Sequence, residues 1–342
     1  MKITGCRFVR VTGLLDKPIG LDDGRPLEPA DVDPAFAARP LRRAAHCGPD
    51  ADGVRRVRCT FVFLDTDEGI SGTATQTGMQ TVETIRGRLL PWLIGRDPLK
   101  IEENWDLMFR LLGGHNVGPA STLDCAMWDI KGKVEGAPVY ELLGGPRQPN
   151  LAPYAGMVGC STDLRLLRER ARAAKAAGFV AQKWYPPCSA GHGAGGMERN
   201  VEVVRTLRET VGDGVELMFD AHQGWTTGYA VEMARAMRPY RPRWLEEPVM
   251  GDDFEGYRAV REAAGFPIAG SENHRNRWQA EAMLKAGVVD VYQPEPGAAC
   301  ITEMMRIAKL VADHGKQMVP HCGYLPTMHV VAALPRELCP YY

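Results

Sequence analysis

The sequence predicts an α/β fold: a TIM-type (β/α) barrel, in a modified (β/α)7β-like form, preceded by an N-terminal α+β capping domain. Three observations point there. Five consecutive strand-like runs close on an acid or an imidazole, Asp220, Glu246, Glu272, Glu295 and His321, at spacings of 26, 26, 23 and 26 residues. One strand, one loop and one packing helix occupy roughly 25 to 35 residues, so this is the period of a repeated βα unit and a parallel sheet. Ahead of the repeat the pattern differs, with alternating strand-like stretches followed by helical spacing and a junction rich in glycine and proline.

In chain order, Lys2 to Val11 and Arg55 to Leu64 alternate as strands do, and with Ile70 to Ala74 they form a small antiparallel meander. Between the first two lies Leu14 to Gly53, a connection long enough to serve as a lid over a pocket. Its Arg42, Arg43 and His46 could reach an anionic substrate or form an ordinary solvated basic loop. From Thr81 to Leu112 the apolar positions recur at helical spacing, broken by Pro91 and Pro98, and Ala120 to Glu135 reads as a longer amphipathic helix. The run Gly136 to Pro146 ends this region and sets the boundary between a capping domain, 1–145, and a catalytic barrel, 146–342.

The barrel units then follow. Leu151 to Met157 is the first strand, Asp163 to Ala177 the first helix, and Val180 to Tyr185 the second strand, with Lys183 and Tyr185 on one face. The loop Pro186 to Gly196 is glycine-rich but lacks the spacing of a phosphate cradle. Units ending in Asp220, Glu246, Glu272, Glu295 and His321 come next. Leu338 to Tyr342 is the eighth strand, with nothing after it for a last helix.

In such a barrel the C-terminal ends of all strands open onto one face, where the active site lies. Asp220, Glu246 and Glu272 would then converge, and three carboxylates in a dry pocket stay ionised only beside a cation. Mg²⁺ is the economical candidate. The bland alternative is that these acids cap the helices following each strand.

Bulk properties narrow the partners. The 342 residues carry a net charge of −1 with a pI near 6.7, which points away from nucleic acid and anionic membrane surfaces. Neither a signal peptide nor an apolar run of membrane-spanning length stands out. Nine scattered cysteines without a C-x-x-C pair suggest reduced thiols and a cytoplasmic location.

The motif Trp244-Leu245-Glu246-Glu247-Pro248, the acid triad, and Gln293-Pro294-Glu295 with Val319-Pro320-His321 resemble the enolase superfamily, mandelate racemase subgroup, over roughly residues 75 to 335. The helix Ser121 to Lys133 with Pro138 to Gly145 resembles its interdomain linker. Gln182 to Tyr185, Asp220 to Trp225 and Ser271 to Trp278 are most similar to the acid-sugar dehydratases, rhamnonate dehydratase above all. Members of the superfamily use a Lys or His base with Mg²⁺.

The resemblance implies a Mg²⁺-dependent dehydratase of an aldonate-type sugar acid. The α-proton would be removed to an enediolate, and water eliminated from the β-carbon to give a 2-keto-3-deoxy acid. His321 is then base and acid, Glu295 its orienting carboxylate, and Asp220, Glu246 and Glu272 the metal ligands. Lys183 would bind the substrate carboxylate or steady the enolate, the alternative being a surface or barrel-lining salt bridge; Tyr185 and His222 are candidate proton donors, the alternatives being a core tyrosine and a structural histidine. A small-molecule carboxylate is the implied partner, and barrels with capping domains commonly self-associate, so a homo-oligomer is expected.

Three departures from the family pattern stand out. Glu295 replaces the usual aspartate, Lys183-Trp184-Tyr185 replaces Lys-x-Lys, and the chain ends without the family's acidic residue and tail past the eighth strand. The last suggests truncation or another way of closing the barrel. Alternatives on the same fold are a racemase or epimerase, which would need a second base opposite His321, a cycloisomerase of a carboxylate substrate, and a catalytically degenerate metal-binding member.

Overall fold

The computed structural model describes residues 1–14, 32, 56–75, 78–321 and 323–342. Most of the expected lid, with Arg42, Arg43 and His46, lies outside the described residues. Strands β1 (Ile3–Leu14), β2 (Arg56–Thr66) and β3 (Ser71–Ala74) form an antiparallel sheet in the order β1-β2-β3. Val62, Leu64 and Ala74 are buried, whereas Val9, Val11 and Leu14 of β1 are exposed. At Gly72 a Cβ would sit 1.9 Å from the Ala126 carbonyl oxygen, so only glycine lets β3 approach the helix Gly118–Glu135 this closely.

That helix departs from expectation. Its sequence pattern predicts an amphipathic helix, yet residues all around it are buried, including Ala120, Leu123, Asp124, Met127 and Ile130. Both faces are covered, by the three-stranded sheet on one side and by the helix Ile301–Asp313 on the other. Asp129 Oδ2 accepts the Thr73 amide at 2.7 Å and Lys133 Nζ donates to the Ser71 carbonyl at 2.7 Å, fixing it to β3. The helix stops at Gly136, whose φ of 64° is the left-handed conformation that ends helices.

Seven parallel strands follow: β4 (Ala155–Gly156), β5 (Ala181–Trp184), β6 (Glu216–Asp220), β7 (Trp244–Glu246), β8 (Ile268–Gly270), β9 (Val291–Tyr292) and β10 (Gln317–Met318), adjacent in chain order. Helices connect them, as the period required. Ala181, Met218, Trp244, Ala269, Val291, Val319 and Tyr341 pack together in a core of their own inside the curled sheet, while the larger core fills the space under the helices. Two layers of side chains of this kind are what a filled (β/α) barrel requires.

Closure comes from the chain's last residues. Met318 N donates to the Leu338 carbonyl at 2.8 Å, Tyr342 N to Ala152 O at 3.0 Å, and Tyr154 N to Tyr342 O at 3.2 Å. The segment 338–342 leaves a turn at Leu338 and forms no strand, contrary to expectation, yet it bridges β10 and the stretch leading into β4 in the place of an eighth strand. Tyr341 meets Trp244 and Tyr154 edge-on at 6.1 and 6.4 Å, closing the floor.

The expectation of reduced cysteines is corrected at one pair. Cys125 and Cys300 form a disulfide between the helix Gly118–Glu135 and the start of the helix Ile301–Asp313. They lie 175 residues apart, and only tertiary packing brings them together. Cys6, Cys188 and Cys339 are free thiols. Among the described residues no helix is long and apolar enough to cross a membrane.

Candidate active site

Strand alternation positions the first groups. The inner layer holds Ala181, Met218 and Trp244, so two residues further on Lys183, Asp220 and Glu246 also point inward, now at the C-terminal rim. Asp220 and Glu246 are register partners on adjacent strands. On β8 the same count from Ala269 reaches Ser271, not Glu272. Ser271 has φ of 99°, a left-handed conformation costly for a residue other than glycine, and the chain turns there. Beyond it, Glu272 joins the other two: one ligand oxygen from each of Asp220, Glu246 and Glu272 lies within 4.8 Å of the others. His222, Gln223 and Glu247 at the same rim also have positive φ, at 45°, 58° and 41°.

The site acids do not cap the helices that follow. Those positions belong to Asp163, Thr226, Asp253 and Asn276, each accepting backbone amides of its own helix. The helix Ile301–Asp313 is capped from outside, by Asp124 Oδ2 accepting the Ile301 and Thr302 amides at 3.1 and 2.9 Å. The acids at the rim are therefore left for other work.

Lys183 is buried among them. Its Nζ donates to Glu246 Oε1 and lies 3.2 Å from Asp220 Oδ2, with the rings of Tyr185 and Tyr154 at 5.7 and 5.8 Å. Burial alone would pull its pKa down, but Glu246 and Asp220 outweigh it and hold the ammonium well above its ordinary range. Burial and the neighbouring Glu246 push Asp220 up to about 7, against the pull of Lys183. Burial also drives the Tyr185 phenol upward, so it stays protonated. Crowded carboxylates of this kind suit a hard divalent cation, and the three-oxygen set fits Mg²⁺.

His321 Nδ1 lies 2.7 Å from Glu295 Oε2, and its Nε2 lies 3.1 Å from Glu272 Oε2. Glu295 Oε1 accepts the Gly297 amide at 2.9 Å, so the carboxylate is held at both ends. His222 stands further off, with Nε2 3.9 Å from Glu272 Oε1, while its own amide donates to Asp220 Oδ1 at 2.9 Å. The structure thus brings all eight expected residues to one rim.

The matched families are described as "Enolase C-terminal domain-like", over residues 166–342, and "Mandelate racemase / muconate lactonizing enzyme, N-terminal domain", over residues 33–144. The chain belongs to the enolase superfamily, in its mandelate racemase subgroup. It is 32% identical over 281 residues to a D-galactonate dehydratase of Ralstonia nicotianae, covering 79% of this chain and 72% of that one. It is 33% identical over 243 residues to a D-galactarolactone cycloisomerase of Agrobacterium fabrum, covering 67% of this chain and 61% of that one. A solved enolase superfamily member from Polaromonas sp. JS666 superposes with a TM-score of 0.80 at 26% identity, covering 100% of this chain and 85% of that one.

Within this superfamily member, sequence reasoning gave no role to several groups at the rim. Glu247 is buried; Gln223 Nε2 donates to its Oε2, Asn273 Nδ2 approaches the same oxygen at 3.4 Å, and its Oε1 is unpaired among the described residues. Burial and Glu272 push it up to about 8. The double-acid motif was visible, but nothing in it says which carboxylate faces the triad. Ser271 was also missed, as no residue preference marks a serine for positive φ.

Proposed function

We propose that the protein is a lyase, a Mg²⁺-dependent dehydratase of a sugar acid. The observation that carries the reading is the His321–Glu295 pair set against Glu272 of the carboxylate triad. Asp220, Glu246 and Glu272 would hold Mg²⁺, whose charge would offset the negative charge gained when a carbon beside a carboxylate loses its proton.

The chain's own groups divide the remaining work. His321 takes the α-proton at Nε2 while Glu295 fixes its tautomer through Nδ1. The imidazolium so formed then protonates the β-hydroxyl as it leaves, and the enol product relaxes to a 2-keto-3-deoxy acid. Lys183, held by Glu246 and Asp220, presents a cation toward the substrate carboxylate. Residues 1–145 act as the cap that excludes water, and 146–342 as the catalytic barrel.

A one-base arrangement favours elimination over racemisation. Where a two-base site has a pair of lysines, this chain has Lys183, tied to two carboxylates, and Tyr185. The cycloisomerase reading draws support from the Agrobacterium fabrum relative, and both need the same first proton transfer. Incubating a panel of aldonates and aldarates in deuterated water separates dehydration from racemisation. Keto-acid formation supports dehydration; deuterium exchange with inversion and no keto acid overturns it.

A further inference from the structure

Beside the triad a cavity of about 590 Å³ opens, lined by Glu272, Glu295, Asn273 and Arg275 of the barrel and by His115 and Asn116 of the 113–118 loop. That loop is anchored to the barrel on two sides. Asn276 Nδ2 donates to the Gly114 carbonyl at 3.4 Å, and a Cβ on Gly118 would lie 3.4 Å from the Gly297 carbonyl oxygen. A cavity of this size is in the range that holds a small sugar acid.

Its polar groups fall into two sets. Glu272 and Glu295 both engage His321, and Asn273 approaches Glu247. Arg275, half-buried, has no ion pair or side-chain hydrogen bond among the described residues; its backbone amide alone is engaged, by Gln279 Oε1 at 2.7 Å. The side chains of His115 and Asn116 are likewise uncommitted among the described residues. An unpaired guanidinium lining the same cavity as an amide and an imidazole is a donor set for an anion, and its fork matches a carboxylate in two parallel hydrogen bonds.

We propose that Arg275, with Asn116 and His115, forms a subsite for a second carboxylate at the far end of the substrate. The protein then prefers a diacid sugar, an aldarate, over the aldonate of equal length. This rests on reading the triad as the end that receives the first carboxylate.

The test is calorimetric binding of galactarate and galactonate to the full-length His321→Asn protein loaded with Mg²⁺, which binds without turnover. Galactarate should bind about tenfold tighter or better, as one charge-assisted bidentate pair provides. Arg275→Met in the same background should bring the two affinities to within about twofold of each other, and Arg275→Lys should give an intermediate ratio. Equal affinities before the Arg275 change, or a preference that survives it, overturn the proposal. An Arg275-dependent preference in a protein that dehydrates no sugar acid would uphold the subsite and sink the dehydratase reading. Dehydration of galactonate with no such preference would do the reverse.

Discussion

His321 Nδ1 lies 2.7 Å from Glu295 Oε2, and the other oxygen of that carboxylate accepts the Gly297 amide at 2.9 Å. The longer side chain at this position, where the family pattern has aspartate, therefore spans from the imidazole back to its own loop. Glu295→Gln should lower kcat by about 10²-fold or more, because the imidazolium loses its compensating charge. Glu295→Asp should lower it by about tenfold, since one methylene less cannot keep both contacts. Steady-state kinetics on the two variants checks the order; Glu295→Gln with unaltered kcat would contradict it.

Lys183 neutralises two buried carboxylates, so removing it leaves Asp220 and Glu246 unpaired in the rim. Lys183→Met should destabilise the metal-free protein by about 3–5 kcal/mol. Millimolar Mg²⁺ should restore part of the loss, because a ligand of the folded state stabilises it by mass action. Thermal unfolding in chelator and in Mg²⁺ measures both; equal unfolding temperatures for variant and wild type in chelator would refute the role.

Asp124 sits in the contact between the helices Gly118–Glu135 and Ile301–Asp313, and burial pushes it from 3.8 up to about 6. An acid that holds its proton more tightly when folded gives stability present below its unfolded pKa and lost as pH rises through the folded one. The loss between about pH 4 and 6 is on the order of 3 kcal/mol. Asp124→Asn keeps an acceptor for the Ile301 and Thr302 amides and should flatten that slope. Unfolding free energies at pH 4.5 and 7 test it; an unchanged slope would place the pH dependence elsewhere.

Much of the barrel was legible because a parallel βα repeat forces a length period, and Asp220, Glu246 and His321 follow from it by position. Glu272 kept the period while leaving the alternation, since the turn at Ser271 compensates for one residue. A sequence spacing cannot reveal that compensation. The burial of the helix Gly118–Glu135 on both faces depends on what packs against it, and its pattern alone suggested one apolar face. Asp124 capping a helix 177 residues away, and Cys125 bonded to Cys300, are tertiary facts of the same sort. Strand ends were overestimated at Leu151 to Met157, where only Ala155–Gly156 pairs as β4.

The account turns on proton transfer by His321 beside a cation held by Asp220, Glu246 and Glu272. The most direct test follows loss of the α-hydrogen of a sugar acid in deuterated water by proton NMR, with Mg²⁺, after exhaustive chelation, and in His321→Asn. Exchange or elimination should proceed with Mg²⁺, stop on chelation and return when the metal is restored. In His321→Asn it should fall by at least about 10²-fold. Undiminished loss of the α-hydrogen in either the chelated protein or the variant would contradict it.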